Sequence, residues 1–487
     1  MTLATVVPDG APTMRTKLAY GLGAAAYGIK DGGFSYFLLL FYSQVIGLDA
    51  RLVGLAITIS LMIDAVCDPI VGYWSDNLRS RWGRRHPFMY ASALPVAATY
   101  FLIWNPPTDW SQAALFWYLL GLAVVVRIAI TFYEIPSAAL APELATDYDH
   151  RSSLLGWRYY FAWTGGSVMT VANFTVLFPL FATAAIPNGQ FNRDAYEVYG
   201  IIASVLIFVA IIASSLGTHS RIAHLRLPPA KRSITVGTVF REMFETLANR
   251  SFAALFGAAM LGAVATGLSA SLSFYFSAYF WGFSPEQIGI ITATVFISAI
   301  IGAVMAPIAT RTVGKKRGAI IIGLIAGLIL PAPVVLRLAG LLPANGEPAI
   351  FWMVLIVTMI DVGLIICFQI LSSAMLADLV EQAELKTSRR SEGVFFAAAT
   401  FIRKSVQGLG VIAASFVLTL AAFPTGARPD QVPETSLWEL GMWYVPSILT
   451  LWLLMIAAIS TYKLSRADHE ENLRQLAAKD SIAIKPV

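Results

Sequence analysis

Runs of about twenty apolar residues, the length that just crosses the hydrocarbon core of a bilayer, recur along this whole chain with short polar stretches between them. In lipid every backbone N–H and C=O must be satisfied within the segment, so each run is predicted to be a helix. No soluble domain of any size fits between the runs. The balance of residues agrees. The 487 residues are 57% hydrophobic and 13% charged, with a mean hydropathy of +0.68, where soluble domains run near a quarter charged. The expectation is an all-α membrane protein with twelve spans near 18–47, 53–76, 86–105, 112–140, 153–182, 198–217, 251–281, 286–310, 317–341, 348–378, 391–421 and 438–463.

Basic residues choose the orientation. Alternate connections hold Arg79, Arg81, Arg84 and Arg85, then Arg151, a group from Arg221 to Arg250, Arg311 to Arg317, and Lys386, Arg389 and Arg390. The opposite connections hold only Arg51, Arg193 and Arg428. Basic connections stay cytoplasmic, which predicts an inner-membrane protein with both termini in the cytoplasm. The net charge of +5 is then a topology signal and not a nucleic-acid footprint. Residues 1–17 lack an apolar core and read as a polar tail, not a signal peptide.

The stretch 218–250 is polar, basic and contains Pro228-Pro229. It divides the chain into a first unit at 1–217 (tail and six helices), a cytoplasmic linker at 218–250, a second six-helix unit at 251–466 and a tail at 467–487. The halves echo each other. Gly83-Arg84-Arg85 after the second span recurs as Gly314-Lys315-Lys316 after the eighth, and Ser137–Arg158 recurs loosely from Ser373 to Lys404. Six-plus-six repetition is a signature of secondary transporters, whose site lies near the midplane between repeats.

Enzyme chemistry finds little footing. Cys67 and Cys367 lie in apolar runs, and the five histidines are expected in polar connections. No nucleophile, metal cluster or resident cofactor is expected. Gly21-Leu22-Gly23 sits inside a span with no strand before it, so it reads as helix packing and not as a nucleotide loop.

Charges inside spans are the functional signal, because each costs about 2.5–3.5 kcal/mol on insertion scales. The first half holds Lys30, Asp31, Asp64, Asp68, Arg127, Glu134 and Arg158; the second holds only Asp361, Arg403 and Lys404. Asp64 and Asp68, four apart, project from one helix face. Two ionised carboxylates that close repel unless one is protonated or a cation lies between them. The bland alternative pairs each acid with a basic residue of another helix. Pro69 and Pro136 free the carbonyls of Ala65 and Phe132. Glu134 is a candidate for completing the cation site or accepting substrate hydroxyls. Lys404 is a candidate counter-charge, and Arg127 a structural partner for an interior acid. Asp76 with Arg84 and Arg85 reads either as positive-inside charge or as a cytoplasmic gate of ion pairs.

The motif Gly72-Tyr-Trp-Ser-Asp76 through Gly83-Arg84-Arg85 resembles the helix 2/3 loop of the major facilitator superfamily. Tyr20-Gly-Leu-Gly through Lys30-Asp31, Asp64-Ala-Val-Cys-Asp68-Pro69, Ser80-Arg-Trp-Gly-Arg-Arg and Ala377-Asp378-Leu through Glu381 resemble the glycoside-pentoside-hexuronide:cation symporters, the melibiose permease-like transporters. The resemblance spans nearly the whole chain. It implies a major facilitator fold of two six-helix bundles. It implies that Asp64 and Asp68 carry the coupling cation, with Glu134 standing where the family's helix-four aspartate lies; the oxygen ligands suit Na⁺, Li⁺ or H⁺. It implies Lys30, Asp31, Glu134, Arg158 and Gln369 around the substrate, and Lys404 beside the cation. Ala138 and Gln369 stand where the family's galactoside site carries tryptophans. The expected function is a monomeric cation-coupled importer of a sugar, glycoside or uronide, and the alternative is a carrier of a lysolipid or other amphiphile.

Overall fold

The computed structural model describes residues 12–144, 148–222, 250–387, 406 and 408–462. Among them, nine helices are long and apolar enough to cross a membrane. Three further helical stretches, at 14–45, His86–Ile103 and Gly408–Leu420, take the remaining places of a twelve-helix chain.

The helices in chain order are α1 (14–45), α2 (Ala50–Asn77), α3 (His86–Ile103), α4 (Gln112–Leu144), α5 (148–180) and α6 (Arg193–His219). The second set is α7 (250–280), α8 (285–312), α9 (315–338), α10 (Pro348–Thr387), α11 (Gly408–Leu420) and α12 (Glu434–Ser460). Most are longer than the apolar runs alone indicate, because caps and polar turns continue the hydrogen-bond ladder beyond the hydrocarbon. α10 has 40 residues, about twice what a bilayer needs. α9 stops at Leu338, which brings Arg337 to the end where the sequence placed few basic residues. The linker core at 223–249, the tail 467–487, and Arg403 and Lys404 lie outside the described residues.

α1 is not one smooth helix. It carries π-turns at Gly33–Phe37 and Phe41–Val45, and α5 and α7 carry one each, at Asn173–Leu177 and Phe276–Phe280. Such insertions cluster at functional sites. Here they flank Lys30-Asp31 and the seam between the halves.

The repeat is visible in the backbone. α1 and α7 both end in a π-turn, then Gly47 (φ +86°) and Gly282 (φ +66°) reverse the chain. The amides of Leu48 and Phe283 then bond back to Tyr42 and Ser277, before Asp49 and Ser284 cap α2 and α8. The α2/α3 and α8/α9 turns likewise each hold a left-handed glycine, Gly83 (φ +72°) and Gly314 (φ +84°).

The halves meet in symmetric pairs: α1 with α7, α2 with α11, and α5 with α8. The Thr58 hydroxyl donates to the Gly408 carbonyl at 2.8 Å. On the other side Gly289 lies so close to α5 that a Cβ there would stand 2.6 Å from Thr175 Cγ2. Among the described residues these contacts concentrate at one end, that of the 1/2, 5/6, 7/8 and 11/12 connections. Phe274 packs on Phe37 and Phe174 with centroids 5.0 and 4.6 Å apart. Ser43 bonds Tyr275, and Tyr279 donates to the Ala427 carbonyl at 2.8 Å. Aromatic rings and backbone acceptors close this end.

One expectation on histidine fails. His86 is the first residue of α3, fully buried, and its Nε2 meets the Thr218 hydroxyl at 3.0 Å. His219 closes α6 and contacts the Tyr90 hydroxyl. The apolar run placed them at a polar boundary, and helix packing drew that boundary inward.

Candidate functional site

The first six helices bring several of their charges close to one another. α2 is an unbroken helix through Pro69, so Asp64 and Asp68 share the face that packs against α4. There the single hydroxyl of Thr131 lies 2.9 Å from Asp64 Oδ1 and 3.0 Å from Asp68 Oδ1. A hydroxyl has one hydrogen to give. It serves one carboxylate; the second contact needs a proton on that acid or a cation among the three oxygens. Thr131 carries no charge, and only its contact across to α2 reveals it. Sequence reasoning missed it, although it lies one turn before Glu134.

Arg127, one turn earlier on α4, has its Nη1 3.8 Å from Asp64 Oδ2 and donates from Nε to the Ser60 hydroxyl at 3.0 Å. Its guanidinium also lies 5.0 Å from the Phe34 ring centroid. Arg127 thus stands beside Asp64 and at the edge of the candidate cation site.

Lys30 and Asp31 form an ion pair of 3.7 Å with contrasting environments. The lysine side chain is 2% exposed and the aspartate 41%. The Lys30 ammonium sits over the Tyr27 ring at 4.6 Å. Asp31 opens onto a cavity between the halves, lined also by Phe34, Ser35, Arg127, Ser271 of α7 and Val411 of α11.

Arg158 is positioned differently. It donates to the Ser137 hydroxyl at 2.6 Å and to the Glu134 carbonyl at 3.4 Å, tying α5 to α4. Glu134 is half-buried on the same stretch, where α4 runs on through Pro136 to Leu144. Gln369 of α10 is exposed, as is Ala138.

Asp76, Arg84 and Arg85 do come together, through an acid that the sequence reading had not singled out. Glu143 Oε1 accepts from Arg84 at 2.6 Å and from Arg85 at 2.8 Å, and Arg85 reaches Asp76 at 2.8 Å. All four residues belong to the first half. The signal was the acid in the repeated Ser137–Arg158 stretch.

A twelve-helix, two-half fold with charged residues facing an interhelical cavity defines a secondary transporter of the major facilitator type. The chain belongs to the MFS/sugar transport protein family, whose pattern matches residues 19–466; it is a transporter and not an enzyme. It is 25% identical to an uncharacterized symporter, sll1374, of Synechocystis over 95% of this chain and 96% of that one. It is 23% identical to the sodium-dependent lysophosphatidylcholine symporter 1-A of Danio rerio (95% and 88% covered). It is 22% identical to the glucuronide carrier protein homolog of Escherichia coli (86% of each). Among solved structures, a bacterial homolog of the human lysosomal transporter Spinster, inward-facing and unoccupied, aligns with TM-score 0.65 at 14% identity, over 95% of this chain and 99% of that one. That likeness concerns the fold.

Proposed function

We propose that this protein is a cation-coupled symporter that imports a sugar, glycoside or uronide by alternating access. The observation that carries the reading is the convergence of Asp64 Oδ1, Asp68 Oδ1 and the Thr131 hydroxyl, a cluster of hard oxygens suited to Na⁺ or H⁺. Relatives named as a sodium-dependent symporter and a glucuronide carrier support it. Glu134 and Lys404 are assigned to the periphery of the same site.

In this mechanism the ion enters first and draws the two acids together. That preorganises the adjoining cavity, where Lys30, Asp31 and residues near Glu134, Arg158 and Gln369 meet the solute. Each positive charge moved inward gains about 2.3 kcal/mol per 100 mV. With both termini cytoplasmic, the end closed by the contacts between the halves is the outer one. Breaking the contacts of Ser43, Tyr275 and Tyr279 starts the return. The Asp76, Arg84, Arg85 and Glu143 cluster braces α2 against α4 so that the first half moves as a unit.

A second reading, a lysolipid or similar amphiphile as cargo, is favoured by the lysophosphatidylcholine relative and by Ala138 and Gln369, which offer a sugar ring no aromatic face. The test is uptake into proteoliposomes of a panel of glycosides, uronides and lysolipids, with Na⁺ and pH gradients imposed separately. Accumulation of one solute class driven by one gradient is the expected result. Uptake of every solute at the same rate with and without either gradient would sink the coupling.

A further inference from the structure

Arg127 stands between the two parts of the mechanism. On one side its Nη1 lies 3.8 Å from Asp64 Oδ2, close enough for strong Coulombic attraction and too long for a hydrogen bond. On the other it lines the cavity shared by α1, α4, α7 and α11. The side chain is 5% exposed, and Ser60 takes Nε. Among the described residues neither terminal nitrogen makes a hydrogen bond. A guanidinium has five donors in a fixed fork that matches carboxylate and phosphate. Among the described residues the other charge lining this cavity is Asp31, which is paired with the buried Lys30.

We propose that Arg127 is the residue that couples ion binding to selection of an anionic substrate. With the ion absent, its charge is spent on Asp64. When an ion settles among Asp64, Asp68 and Thr131, the carboxylate is neutralised, and the fork turns its free donors to a carboxylate or phosphate of the solute in the cavity. The inference rests on the cation-coupled reading above and adds to it that the cargo carries a negative group.

Two probe pairs test this in the purified full-length protein: phenyl β-D-glucuronide against phenyl β-D-glucoside, and lysophosphatidic acid against monoacylglycerol. Each pair differs in its anionic group, and each represents one substrate reading. Binding is measured with and without Na⁺, and at two pH values. In the unaltered protein the coupling ion is expected to raise the preference for the anionic member by about tenfold to a hundredfold, the weight of one charge-assisted hydrogen bond. Asp64→Asn, which neutralises the acid permanently, should show that preference with no ion present. Arg127→Gln should lose it, Arg127→Lys should keep part of it, and the double variant should behave as Arg127→Gln.

An ion-dependent anionic preference that survives Arg127→Gln overturns the inference and leaves symport standing. So does Asp64→Asn with no ion-free preference, or equal binding of both members throughout. If neither pair binds any of the proteins, the substrate readings fall and the inference falls with them. The pair that responds decides between glycoside and lipid.

Discussion

The two halves share a backbone and differ in what they carry. Both reverse the chain after their first helix with a π-turn and a left-handed glycine, and both pack a second helix against the partner half. The first half places Lys30, Asp31, Asp64, Arg127, Glu134 and Arg158 within its helices and joins most of them by ion pairs or hydrogen bonds. In the second half, among the described residues, Asp361 is 2% exposed and its Oδ1 has no hydrogen-bond partner. Among the described residues the two halves share an architecture, and the buried charges gather in the first. In the function proposed above, that half contributes Asp64, Asp68 and Thr131 to the ion site, and the second half supplies a wall of the cavity through Ser271 and Val411.

The sharpest way to break this comparison is at the acid pair. Two unit charges about 4 Å apart interact by about 4 kcal/mol at an effective dielectric of 20, equivalent to roughly a thousandfold in affinity. Asp68→Asn is therefore expected to abolish cation-driven accumulation while the protein stays folded, as read by concentrative uptake beside a thermal unfolding curve. Undiminished accumulation would remove the special standing of the first half.

Next comes the brace. Glu143 holds both Arg84 and Arg85 and is largely buried, and removing one partner of a buried ion pair costs about 3 kcal/mol. Glu143→Gln should lower the unfolding temperature in detergent by several degrees. Wild-type stability there would show the ion pairs to be ornamental.

A smaller effect is expected at the seam. Leucine at Gly289 must displace α5, and overpacking costs about 1–3 kcal/mol. The balance should tilt away from the closed end shown here by about tenfold. Ser43→Cys in a Cys67- and Cys367-free background should then react faster with an impermeant maleimide. An unchanged rate would mean that α8 and α5 separate without resistance.

The least effect belongs to Asp361→Asn, which keeps shape and polarity. We expect coupling retained and stability within about 1 kcal/mol, measured by uptake and unfolding. Loss of coupling would extend the ion path into the second half.

Legibility followed the type of interaction. Asp64 and Asp68 were readable because their spacing places them together on one helix, whatever surrounds it. Arg127 was readable as a charge needing a partner, and only packing named Asp64. Thr131 and Glu143 were not readable as site residues. A threonine is common in apolar helices, and an acid near a helix end is common anywhere; both gain their roles from atoms on α2 and the loop after it. Arg158 was readable as a charge within a span, and only packing gave it Ser137 and the Glu134 carbonyl as partners.

Hydropathy and charge bias, which act residue by residue against lipid and water, determined from sequence alone that this chain is an all-helical, twofold-repeated membrane protein with an acidic pair on its second helix. The tertiary structure decided which hydroxyl bridges those acids, which arginine stands beside them and which end of the molecule is shut. Those outcomes depend on distances between helices far apart in the chain, and only the packed bundle sets them.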